Sequence, residues 1–132
     1  PDGEAAVTTV RSTGLDLVCI GGMFRRSELS FIGPLTEQLL AEIHVDMVIL
    51  GTRAINLQQG LTNDYIPETM TDRAILRIGQ RVILATDHTK FGRISTAFLA
   101  PLESIHTIVT DPGTPEEYLH ELETRKIAVI RA

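Results

Sequence analysis

Four short apolar runs in this sequence are each followed by glycines, hydroxyls and charged residues, the types that hold small anionic, hydroxylated molecules. After "LVCI" come Gly21, Gly22, Arg25 and Arg26. After "MVIL" come Gly51, Thr52, Arg53 and Asn56, then Gly60 and Thr62. After "VILA" come Thr86, Asp87, His88, Thr89, Lys90 and Gly92, and Thr110 and Asp111 follow "HTIV". Glycines let backbone N–H groups approach a phosphate, and Arg or Lys adds charge-assisted hydrogen bonds. Carboxylates and Asn pair with sugar hydroxyls. The set predicts a crevice for a ligand such as a sugar phosphate. Each member also has a plainer role: Gly21-Gly22 as a tight turn, Arg25 and Arg26 as solvated surface, Arg53 as a carbonyl cap, Asp87 as a loop residue. Glu68 reads either as a general base or as a first-turn residue offsetting a helix dipole. His44, His88, His106 and His120 lack metal-ligand spacing, so no metal is expected. No dinucleotide fingerprint, P-loop or nucleophile elbow is present, and no cofactor is expected.

The elements that would position these residues are legible as changes of period. "DMVIL" (46–50), "RVILA" (81–85), "IHTIV" (105–109) and "KIAVI" (126–130) are continuous apolar runs rich in Val and Ile. Such runs suit parallel strands covered on both faces. Between them the period becomes helical. Leu35, Leu39, Leu40 and Ile43 form one stripe after Gly33-Pro34, and Met70, Ala74, Ile75 and Ile78 form a second before Gly79. A third helix starts at "TPEEYLHEL", with Thr114 as cap, Pro115 in the first turn and Glu117 completing a capping box. Alternating strands and helices imply a three-layer αβα fold with a mainly parallel, Rossmann-like sheet. In such sheets ligands bind beyond the carboxyl ends of the strands, which is where the charged and glycine-rich segments fall. "ELSFIG" (28–33) reads as a short strand or an extended arm, and "AAVTTV" (5–10) as a strand. "RISTAFLAPL" (93–102) is β-like without a clear place in the parallel sheet.

The chain has 132 residues, 43% apolar and 22% charged, with a net charge of −5. That describes one folded domain over 1–132 and argues against a nucleic-acid face, which needs clustered cations. Tryptophan is absent and aromatics are 5%, too few for a base-stacking platform. The single cysteine, Cys19, excludes an internal disulfide, fits a cytoplasmic location and reads as a small buried hydrophobe. No apolar run approaches the roughly 18 residues of a membrane span.

The ordered set "GGMFRRSELSFIGP", "DMVILGTRAINLQQGLTND", "ETMTDRAIL", "VILATDHTKFG" and "IVTDPGTPEEYLHELETRKIAVI" resembles the C-terminal effector domain of DeoR-family bacterial transcriptional regulators. The resemblance runs from about Leu15 to Ile130. It implies the fold of ribose-5-phosphate isomerases and CoA transferases, and a non-enzymatic sensor that binds a phosphorylated sugar. That sensor would control operator DNA through an attached helix-turn-helix, usually within a homo-oligomer. Carried over by position, Gly21, Gly22 and Arg25 match the family's Gly-Gly-x-x-Arg, Gly51 its central-strand loop, and Gly60 and Thr62 its Gly-x-Thr. Glu68 falls at its acidic position, and Asp87, Lys90 and Gly92 match its Asp-x-x-Lys-x-Gly loop. Three departures stand out. Asp72 precedes Arg73 where the family carries a Lys; "GTRAIN" replaces the usual small-residue loop; and neither the Asp-Ser-Gly-Thr-Thr phosphate loop nor a helix-turn-helix occurs. The sequence therefore reads as an effector domain incomplete at its N-terminus. The other readings are an isomerase-like enzyme using Glu68 or Asp87 as base with Lys90 stabilising an enediolate, and an oligomerisation scaffold.

Overall fold

A computed structural model describes residues 11–132. Four parallel strands form the central sheet in the order β3 (Val45–Leu50), β6 (Gly79–Ala85), β8 (Thr107–Thr110), β9 (Ala128–Arg131). They correspond to the four apolar runs, and helices flank the sheet, as a three-layer α/β architecture requires. The register aligns Val45 with Gly79, Ile83 with Thr107, and Thr107 with Ala128. Helix α1 (Pro34–Ala41) packs on α2 (Ile66–Ile78), which lies against β3 and β6, while α3 (Glu116–Thr124) packs on β9.

The segments without a place in the parallel sheet form smaller antiparallel units. β1 (Met23–Arg25) pairs with β2 (Ser30–Ile32), so "ELSFIG" is half of a hairpin. β4 (Ala54–Asn56), β5 (Gly60–Asn63) and β7 (Ala97–Ala100) make a three-stranded sheet that absorbs "RISTAFLAPL". The core joins the two larger sheets: Ile55 and Leu61 from the antiparallel one pack in one cluster with Leu84, Ile108 and Leu122. "AAVTTV" lies outside the described residues.

Several expectations about burial are overturned. Cys19 is exposed, as are Leu17 and Val18 beside it. This run makes no ladder with a neighbour among the described residues, and apolar composition cannot bury a segment that nothing covers. Of β3 only Val48 is buried, and Met47 and Ile49 are exposed; among the described residues β3 ends the sheet. Helix α1 buries Thr36 and Leu40 and leaves Leu35 and Leu39 exposed. Thr36 is drawn inward because Gly22 closes on it and the Gly21 carbonyl accepts its hydroxyl at 3.0 Å. In α2 the buried residues are Thr69 and Thr71, not the expected stripe, and Met70 is exposed. The Thr71 hydroxyl accepts from the Gly33 amide at 3.0 Å, tying α2 to the start of α1. Thr114 does not cap α3, since its buried hydroxyl pairs with that of Thr110 at 2.7 Å.

Candidate functional site

The carboxyl ends of β3 and β6 open onto a cleft of about 270 Å³ lined by Gly51, Thr52, Arg53, Glu68, Asp72 and Lys90, with Glu28, Leu50 and Asn63 completing the wall. Backbone continuity explains part of this. Leu50 ends β3, so Gly51, Thr52 and Arg53 are the first residues past the sheet. Lys90 ends a single 3-10 turn, His88–Lys90, reached directly from β6. The Asp87 carboxylate starts that turn by accepting from the Thr89 amide at 2.8 Å and from its hydroxyl. These bonds, the hydroxyl's first, hold Asp87 below the usual carboxylate range. The loop is then pinned where Phe91 bridges to Ile55 and packs tilted against Tyr118, with ring centroids 5.3 Å apart. Gly92, at φ 73°, leaves the room that Tyr118 occupies, since a Cβ there would stand 2.7 Å from its hydroxyl.

Hydrogen bonds fix the acidic wall. Asn63 is buried; its Oδ1 accepts from the Arg53 amide at 3.0 Å, so its Nδ2 donates to Asp72 Oδ2 at 2.8 Å. The Asp72 carboxyl is pushed up to about 6, first by burial and then by the nearby Glu68, with the Asn63 hydrogen bond pulling the other way. Glu68 accepts from the Arg25 guanidinium and from the Ser30 hydroxyl, at 3.2 Å for the latter. Arg25 also lies over the Tyr65 ring at 4.3 Å. Arg53 donates to Glu28 at 2.8 Å and stands 3.5 Å from Asp64.

Of the residues singled out from sequence, Gly51, Thr52, Arg53, Glu68 and Lys90 line this cleft, and Arg25 touches it through Glu68. Gly21 and Gly22 sit against Thr36 at the start of α1. Thr62 is buried and accepts from the Ser95 amide at 2.8 Å. Gly60, at φ 75°, packs against the Ala100 carbonyl, 2.5 Å from where a Cβ would stand. Asp87 and Gly92 shape the loop that presents Lys90. Sequence reasoning did not single out Asn63 or Glu28 as wall residues. Asn63 carried a usable signal, a polar residue directly after the Gly-x-Thr; Glu28 reaches the cleft only through the β1–β2 turn.

The chain matches the family described as the DeoR C-terminal sensor domain over residues 4–112. It is 33% identical over 127 residues, 96% of this chain and 47% of the other, to a candidate transcriptional repressor of the aga operon from Escherichia coli O157:H7. It is 35% identical over 105 residues to the transcriptional repressor AccR of Agrobacterium fabrum, covering 79% of this chain and 41% of that protein. It is 29% identical over 110 residues to the HTH-type transcriptional regulator GlpR of Haloferax volcanii, covering 83% and 43%. The chain thus spans less than half the length of each of these relatives.

Proposed function

We propose, for a chain that belongs to the DeoR C-terminal sensor domain family, that the cleft binds a phosphorylated sugar whose occupancy controls DNA binding by a helix-turn-helix elsewhere in a homo-oligomeric repressor. The observation that carries the reading is Lys90. It lines the same cleft as Gly51 and Thr52, at the carboxyl ends of two parallel strands, and has no ion pair within 4 Å among the described residues. A phosphate there gains a charge-assisted bond in partial shelter from water. The acidic wall, Asp72 above all, offers acceptors to sugar hydroxyls. A binding role rather than proton transfer is supported by Glu68, whose carboxylate is engaged by Arg25 and Ser30. The relatives' names, transcriptional repressor and HTH-type regulator, support the link to DNA. In such a protein the ligand acts by binding one arrangement better than another.

Thermal-shift and calorimetric titration with hexose and pentose phosphates, beside the matching free sugars, test the reading. At least one phosphorylated sugar is expected to raise the melting temperature by mass action while its free sugar does not. Lys90→Ala is expected to weaken that binding by on the order of tenfold or more. Equal responses to phosphorylated and free sugars, or full affinity in Lys90→Ala, would defeat it.

A further inference from the structure

The charges lining the cleft are matched by protein partners with two exceptions. Glu68 is met by Arg25, and Glu28 by Arg53, which also stands near Asp64. Asp72 and Lys90 have no ion pair within 4 Å among the described residues, and they do not reach each other. Lys90 acts through space on Asp87 but forms no ion pair with it, so its ammonium can still donate to an anion. Asp72 is a half-buried carboxylate held by one neutral amide, with Glu68 nearby on the same helix. Taking a carboxylate out of water without a cation is unfavourable, and a like charge alongside adds to the cost. Its neighbour Arg73 does not relieve it: that guanidinium donates to the Phe98 carbonyl, on the wall of a different groove. The Asn63 amide cannot turn away, because its oxygen is occupied by the Arg53 amide.

Two charges of opposite sign on one cleft, neither with an ion pair among the described residues, suit a zwitterionic ligand. We propose, resting on the sugar-phosphate reading above, that Asp72 sets specificity by accepting hydrogen bonds from a ligand ammonium, so that the cleft selects amino-sugar phosphates over their neutral counterparts. The phosphate goes to Lys90 and the strand-end amides, and the ammonium to Asp72. A hydroxyl at the same place donates a hydrogen bond but brings no positive charge to offset the carboxylate, whereas an ammonium does both.

Calorimetry with glucosamine 6-phosphate, galactosamine 6-phosphate, their N-acetyl forms, and glucose and galactose 6-phosphates separates the possibilities. An amino-sugar phosphate is expected to bind on the order of tenfold tighter than its neutral hydroxyl counterpart, with the advantage lost on N-acetylation. Asp72→Asn, which keeps the shape of the side chain, is expected to bring that ratio to within about twofold. A second measurement needs no variant. Near pH 6 the Asp72 carboxyl, titrating at about 6, is roughly half protonated, and an ammonium drives the proton off. Glu68 on the same helix, Glu28, Arg53 and Lys90 around the cleft, and Arg25 behind Glu68 set the field it titrates in. Binding of the amino form is expected to release roughly half a proton more than binding of the hydroxyl form, read as a dependence of heat on buffer ionisation. Equal affinities, a ratio unchanged in Asp72→Asn, or no difference in proton release overturns the assignment, while neutral sugar phosphates that still bind leave the broader reading standing. Silence toward every phosphorylated sugar overturns both.

Discussion

Asp72 carries its own signature in the free protein. Its carboxyl rises from 3.8 to about 6 because burial disfavours the charge and Glu68 repels it. A raised acid pKa means that the folded state holds the proton more tightly than the unfolded state. Stability is therefore lost as pH rises from about 4 to about 6, and the penalty is complete above that window. Asp72→Asn removes it. Discounted for the partial exposure of the side chain, the expected gain is about 1–2 kcal/mol at pH 7.5 and little at pH 4, read by urea unfolding at both values. An equal gain at the two pH values would show that something other than ionisation is responsible. That Asp72 reverses a charge was visible in the sequence. Its lack of a counter-ion among the described residues was not, because that depends on where Arg73 and Arg25 point.

At the scale of elements, the β4–β5 hairpin shows how a motif can be recognised while its mechanical role stays hidden. Asn56 accepts from the Gln58 and Gln59 amides at 2.9 Å each and shapes the turn. Gly60 then enters β5 with a positive φ, and a Cβ there would stand 2.5 Å from the Ala100 carbonyl oxygen of β7. Gly60→Ala faces both a left-handed backbone and a collision with backbone, and is expected to cost about 2–3 kcal/mol. Thermal denaturation without ligand checks this, since a residue needed only for the ligand would leave the melting temperature unchanged. The spacing Gly-x-Thr was legible. That Thr62 turns inward to serve Ser95 depends on β7, a strand more than thirty positions away whose pairing the local pattern did not reveal.

For the whole molecule, the exposed apolar residues include Leu15, Leu17 and Val18, and Met47 and Ile49 on β3, which ends the parallel sheet among the described residues. Val18 is 77% exposed and Leu17 50%. Apolar surface of this kind, beside a strand edge unpaired among the described residues, favours association with another surface. Leu17→Lys with Val18→Lys is expected to lower concentration-dependent association in sedimentation velocity and to leave the melting temperature within about 2 °C, as surface changes usually do. Unchanged sedimentation would show that this segment takes no part. The sequence by itself determined the parallel strands, the helices between them and the strand-end position of Gly51 and Lys90, because period, β-branched content and turn residues act over a few neighbours. Only the tertiary structure decided which faces are covered, that Thr36, Thr69 and Thr71 face inward while Leu35 and Met70 do not, and that Asp72 and Lys90 line one cleft with no ion pair among the described residues. Burial and ion pairing are settled by what arrives from distant positions in the chain, and no local pattern records that.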